Sequence, residues 1–127
     1  MRQFSRWAML AVLGLAFAGC PATRVITARA FRVQRVVDGD TFKVVYDGEP
    51  TSVRILGIDA PELREPGGPE AKAALAGIVG AKVVRLAFPG PRKRDNFGRL
   101  LARVHVAGVD VAAELMRQGH AKPYRRR

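Results

Sequence analysis

Between Phe31 and Ile58, three short runs rich in β-branched and aromatic residues follow one another: FRVQRVV (31–37), TFKVVY (41–46) and TSVRILGI (51–58). Partial alternation of apolar and polar residues marks each as a half-buried strand, and Asp47-Gly48 supplies hairpin chemistry between the second and third. A β-meander is therefore set before any helical pattern begins. In GPEAKAALAGIVG (68–80), Ala71, Ala74, Leu75, Ile78 and Val79 recur at the spacing of one helix face, with Pro69 suited to the first turn and Gly80 to the end. Gly77 weakens that helix by roughly 1 kcal/mol relative to alanine. AKVVRLAF (81–88) and GRLLARVHV (98–106) read as a fourth and a fifth strand. DVAAELMRQG (110–119) reads as a second helix, with Asp110 as N-cap and Gly119 past its end.

Three strands, a helix, two strands and a helix fit an α+β, mainly β domain. The expected architecture is a five-stranded OB-fold barrel with two helices, because closure removes the edges that a small domain would otherwise expose. No internal repeat interrupts it. The domain is expected to run from Phe31 to Tyr124, preceded by a tether at 20–30 and followed by a basic tail at 125–127.

The first residues carry a different signal. Arg2 and Arg6 precede an apolar run, Trp7 to Ala18, too short to span a bilayer as a helix, so residues 1–19 read as an export signal. Ala16 to Ala18 resemble an ordinary small-residue cleavage site, whereas Phe17 to Cys20 resemble a bacterial lipoprotein box. A lone Cys in an oxidising compartment favours lipidation of Cys20 and a membrane anchor on the periplasmic face, with secretion as the other route. Removing residues 1–19 takes away two arginines and no acids, so the basic excess belongs to the domain. That excess, 22 Lys and Arg against 11 Asp and Glu, suits a polyanion such as nucleic acid or an acidic lipid surface, and fits equally a basic protein kept soluble by charge.

Two acidic clusters stand out in this basic chain. Asp38 and Asp40 flank Gly39 inside the first hairpin, and Asp59 and Glu62 flank Pro61 after the third strand. Asp-Gly-Asp-Thr alone is explained by a tight bend. An EF-hand loop starting at Asp38 fails, because its sixth position is Lys43 rather than glycine and its flanks are strands. A hairpin that brought Asp40 and Asp59 to one end of the barrel would present hard oxygen ligands to a cation such as Ca²⁺. Arg54 and Arg99 would complete the parts that phosphoryl transfer asks for, since charge accumulates on phosphate oxygens in the transition state.

VVDGDT (36–41), VRILGIDAPE (53–62), DNFGRLLARV (95–104) and LMRQGHAKPY (115–124) together resemble the staphylococcal nuclease (thermonuclease) family, Ca²⁺-dependent nucleases on an oligonucleotide-binding barrel. The resemblance implies that Asp40, Asp59 and the Ala60 carbonyl are calcium ligands, with Asp38 supporting them. It implies that Arg54 and Arg99 bind the scissile phosphate, and that Glu62 is the general base or the water-orienting group. It further implies cleavage of DNA or RNA at the 5′-oxygen side, by a protein expected to be a monomer. The third, C-terminal helix of well-known members is expected to be absent, and Asn96 and Phe97 replace a Lys and a Tyr. Tyr124 is a candidate base-stacking residue, Phe97 is expected to plug the barrel, and His105 and His120 have no metal-binding partner in view. The tail in KPYRRR is a weaker candidate for gripping phosphates. The alternative reading is a membrane-tethered nucleic-acid-binding barrel that does not cut.

Overall fold

The computed structural model describes residues 29–124. The expected export signal at 1–19, Cys20, the expected tether up to residue 28 and the basic tail at 125–127 lie outside the described residues. In chain order the elements are β1 (Arg29–Asp38), β2 (Thr41–Tyr46), β3 (Glu49–Ile55), β4 (Ile58–Asp59), α1 (Gly68–Val79), β5 (Val83–Ala87), β6 (Leu100–Val106), β7 (Val109–Asp110), α2 (Val111–Arg117) and β8 (Lys122–Pro123). The main sheet runs β3-β2-β1-β5-β6-β7. A further pairing of β3 with β6 closes its five longer strands into the expected barrel.

Closure depends on how β1 is used. Its first residues, Arg29 to Arg32, pair antiparallel with β5, and Val33 to Asp38 pair with β2. Two register shifts, between Val33 and Arg35 and between Val36 and Asp38, allow one strand to serve both neighbours. Such bulges bend and twist a strand, which is what turning a barrel corner requires. The ring is then sealed by parallel pairing of Val53, Arg54 and Ile55 with Leu100, Leu101 and Ala102.

Alternation places Phe42, Val44, Val53, Ile55, Leu86, Leu100 and Val104 inside the barrel, where they are fully buried. Each large apolar side chain so placed contributes roughly 1.5–3 kcal/mol of transfer free energy. The α1 face predicted from its spacing is the face that packs, with Ala71, Leu75 and Val79 buried and Ala74 and Ile78 against the core. From α2, Val111 and Leu115 fill the core, and Asp110 caps the helix by accepting from the Ala112 and Ala113 amides.

Several boundaries differ from the sequence reading. β1 takes in Arg29 and Ala30, assigned there to the tether, because β5 offers them partners in Leu86 and Arg85. The fourth strand starts at Val83 rather than Ala81, since Ala81 has φ 53° and turns the chain out of α1. The fifth starts at Leu100, because Asp95 to Arg99 form a closed turn, with the Asp95 amide bonded to the Arg99 carbonyl at 2.9 Å. Phe97 sits in that turn with 84% of its surface exposed, so it does not plug the barrel.

One contact ties the helix to the acidic hairpin. A Cβ on Gly39 would lie 2.6 Å from the Ala71 Cβ and 2.9 Å from the Ala60 Cβ, closer than carbon atoms approach. Gly39→Ala is therefore expected to destabilise the domain by about 1–3 kcal/mol through overpacking, measured by urea denaturation. Unchanged stability would mean that α1 does not seat against the hairpin as described.

Candidate active site

The acids meet at the barrel end where β1 passes into β2. The bulge near the end of β1 sets Asp38 opposite Thr41, so the chain turns through Gly39 and Asp40 and delivers Asp40 inward, with only 6% of its surface exposed. Both of its oxygens are occupied. Oδ1 accepts from the Thr41 hydroxyl at 2.9 Å, and Oδ2 accepts from the Ala60 amide at 3.1 Å, which pins the second acidic segment to the first. The Asp40 amide donates to Asp38 Oδ1 at 3.1 Å. Burial, and then the neighbouring Asp40 carboxylate, push the Asp38 carboxyl above its ordinary value. Negative charge is thus concentrated here at a cost that a cation would relieve.

Arg54 is the cation present. The β2–β3 register sets it opposite Thr41, and its Nη1 donates to the Ile55 carbonyl at 2.6 Å. Its Nη2 lies 3.3 Å from Asp40 Oδ2 and 3.4 Å from Asp59 Oδ1. Two carboxylates from segments about twenty residues apart therefore converge on one nitrogen, Asp40 nearly buried and Asp59 exposed.

Glu62 lines a cavity with Asp59, and Arg99 lines another with Arg54. Glu62 is exposed and lines a cavity with Asp59, Ala60, Glu65, His120, Lys122 and Tyr124. Its backbone is fixed, since a Cβ on Gly68 would fall 2.0 Å from the Glu62 carbonyl oxygen and the Glu62 amide donates to Glu65 Oε1 at 3.2 Å. Arg99 and Arg54 line a second groove of about 700 Å³, shared with Leu56, Arg92, Phe97 and Tyr124. The parallel β3–β6 pairing explains their proximity, because it sets Arg54 beside Leu101. Tyr124 forms part of both walls, and its amide donates to the Gly57 carbonyl at 2.9 Å, extending the pairing of β4 with β8.

Asp95 is the residue that the sequence reading missed. It holds Arg99 by an Nε to Oδ2 contact of 2.7 Å and accepts the Arg99 and Phe97 amides on Oδ1, both at 2.9 Å. The available signal was an acid four residues before Arg99 with Gly98 between them. His120, expected to have no metal-binding partner, lines the Glu62 cavity, while His105 is half-buried on the outward side of β6.

A match to the family model described as "Staphylococcal nuclease homologue" spans residues 52–127. The chain belongs to that family. Arg54, Asp59, Glu62 and Arg99 fall within the matched span, and Asp38 and Asp40 precede it. Endonuclease YncB of Bacillus subtilis is 36% identical over 96 residues, covering 71% of this chain and 46% of that protein. The SPbeta prophage-derived endonuclease YokF of the same organism is 38% identical over 96 residues, covering 71% of this chain and 32% of its own length. Protein ParB of Escherichia coli is 37% identical over 102 residues, covering 73% and 56% respectively. The chain therefore spans less than half the length of the two Bacillus relatives.

The donor chemistry fits the calcium ion that the staphylococcal nuclease resemblance implies. Asp40 and Asp59 converge, and the Ala60 amide bond to Asp40 places the Ala60 backbone beside them. Among the described residues no group of three or more His, Cys, Asp or Glu has metal-holding geometry. Two carboxylates and one carbonyl would leave the remaining positions to water and substrate oxygens, as a hard cation at a phosphate site requires.

Asp95 gives a pH test. Burial alone would raise its carboxyl, but hydrogen bonds from the Arg99 side chain and from the Arg99 and Phe97 amides, with the Arg99 charge, hold it below its ordinary 3.8. A depressed carboxyl stabilises the fold above the unfolded value and loses that contribution as pH falls through the folded one. Asp95→Asn is expected to cost about 1 kcal/mol at neutral pH, the partial exposure of Arg99 being allowed for. The deficit should shrink below pH 3.8, and thermal denaturation across pH would show a constant deficit if the Arg99 pairing were unimportant.

Proposed function

We propose that this chain is a calcium-dependent nuclease that hydrolyses phosphodiester bonds in DNA or RNA. The observation that carries the reading is the convergence of Asp40 and Asp59 on Arg54, with Arg99 held by Asp95 in the same groove. A binding protein gains nothing from carboxylates in a polyanion groove, whereas phosphodiester hydrolysis needs acids and guanidiniums together. The endonuclease names of the two Bacillus relatives support the same class.

Arg54 and Arg99 each present N–H donors to phosphate oxygens, and their own acids fix those donors in place before substrate arrives. Donors fixed in advance favour the transition state, where negative charge on those oxygens is greatest. Glu62, exposed at the cavity rim beside Asp59, takes a proton from the attacking water or orients it. The water oxygen bonds to phosphorus as the bond to the 5′-oxygen breaks, and that oxygen leaves with a proton from solvent. A calcium ion held by Asp40 and Asp59 would neutralise a phosphate oxygen and leave coordination places for water. The signal-like residues 1–19 and Cys20 support action outside the cytoplasm, either lipid-anchored or secreted.

Digestion of single- and double-stranded DNA and of RNA, with calcium and with a chelator, tests the reading. Cleavage is expected only with calcium. Glu62→Gln and Arg99→Ala are each expected to lower turnover by roughly 10²- to 10³-fold or more, with circular dichroism unchanged. Full activity in either folded variant, or cleavage unaffected by the chelator, would contradict the assignment.

A further inference from the structure

Strands β1, β5 and β6 present a second basic surface, on the wall of the barrel and apart from the acidic hairpin. Their register settles which side chains share it. Arg85 of β5 stands opposite Ala30 of β1 and His105 of β6, Arg32 stands opposite Val83, and Arg103 stands opposite Ala87. Paired residues point to one face of a sheet, and alternation sends their neighbours Phe31, Val84, Leu86 and Val104 into the core. Arg32, Arg85 and Arg103 therefore lie together on the outward face, and all three are exposed.

No acid on this face balances them. β5 and β6 contain none, and β1 has none before Asp38 at its far end. Asp110 of β7 stands opposite His105, but its carboxylate is taken up in capping α2. Arg32, Arg85 and Arg103 make no ion pair among the described residues, and none of them lines either active-site cavity. Hydrolysis thus gives no reason for their uncompensated charge.

The same charge continues into the segment that leads back to Cys20. Residues 21–37 hold four arginines, Arg24, Arg29, Arg32 and Arg35, and no acid. A lipid on Cys20 would keep Arg29 within about 32 Å of a bilayer, because each of the nine residue steps between them spans at most ~3.6 Å. The face itself combines cations with small apolar residues, Val83 being 50% exposed, and offers no Phe, Tyr or Trp on which a base could stack. A basic surface of this kind is complementary to anionic headgroups, where each Lys or Arg near the bilayer adds to the attraction.

We propose that the outward face of β1, β5 and β6 docks the domain on an anionic lipid surface, with Arg32, Arg85 and Arg103 against the headgroups. Docking of this kind adds to any lipid on Cys20 and fixes which way the barrel faces. The inference draws on the Cys20 anchor proposed above for proximity and is independent of the hydrolase reading.

The test takes the chain from residue 20 onward with Cys20→Ser, so that no acyl chain contributes, and follows its cosedimentation with vesicles. Phosphatidylcholine vesicles containing about one-third phosphatidylglycerol should bind it, pure phosphatidylcholine should not, and binding should fall as salt rises. Arg85→Gln combined with Arg103→Gln is expected to weaken binding roughly thirtyfold, whereas Arg85→Lys combined with Arg103→Lys should keep it. Arg64→Gln combined with Arg117→Gln removes the same charge from exposed positions elsewhere and should bind nearly as well as the parent. Absence of binding to the anionic vesicles, or an equal loss in both glutamine pairs, would overturn the docking face. So would intact vesicle binding by the Arg85, Arg103 glutamine pair together with weakened binding of an oligonucleotide, which would assign the face to nucleic acid. The vesicle assay contains no nucleic acid, so a failed calcium-dependent digestion leaves its result standing, and a failed vesicle assay leaves the digestion standing.

Discussion

Three residues of β3, Val53 to Ile55, pair in parallel with Leu100 to Ala102 of β6, and the arrangement of the site depends on that pairing. Without it the sheet is an open ribbon, and Arg54 does not adjoin the turn that carries Arg99 into β6. With it, the interior becomes a closed core and the two arginines share one groove. Pairing between strands so distant in sequence carries a loop-closure cost. Buried residues at the joint, Val53, Ile55, Leu100 and Ala102, supply apolar area to offset it.

Charge is organised differently at the site and over the rest of the surface. The chain is basic overall, yet among the described residues the most buried ionisable side chain is an acid, Asp40, held by the Thr41 hydroxyl, the Ala60 amide and Arg54. Burying a carboxylate is costly unless it is paired and hydrogen-bonded, and here every contact also fixes something else. The Ala60 amide locks the two acidic segments together, and Arg54 brings in Asp59. A cation at this point reverses the local sign, so acids in a basic groove are consistent with a polyanionic substrate.

Much of the barrel was legible in the sequence because its signals are local. β-Branched runs, the Asp47-Gly48 turn, the apolar face of α1 and the Asp110 cap all act within one element. The bulges of β1, the extension of that strand to Arg29 and the closing pair of β3 with β6 are set by partners far away in the chain. The same division runs through the site. Asp40, Asp59, Arg54 and Arg99 could be named from their motifs, whereas Asp95 as the tether of Arg99 emerges only when the turn around Gly98 is folded. Phe97 shows the limit of hydrophobicity as a guide. An aromatic residue between strands reads as core, but the closed turn from Asp95 to Arg99 projects it into solvent.

The calcium-dependent cleavage proposed for the site requires Asp40 and Asp59 to act as one ligand pair. Thermal denaturation of the wild type and of Asp59→Asn during a calcium titration measures this directly, since Asp59 is exposed and its amide should leave the fold intact. A ligand that binds only the native state raises its stability by RT ln(1 + [L]/Kd), so the gain keeps growing with ligand concentration. The account predicts a midpoint that climbs with calcium in the wild type and stays flat in Asp59→Asn. A wild-type midpoint indifferent to calcium, or an equal rise in both proteins, would contradict it.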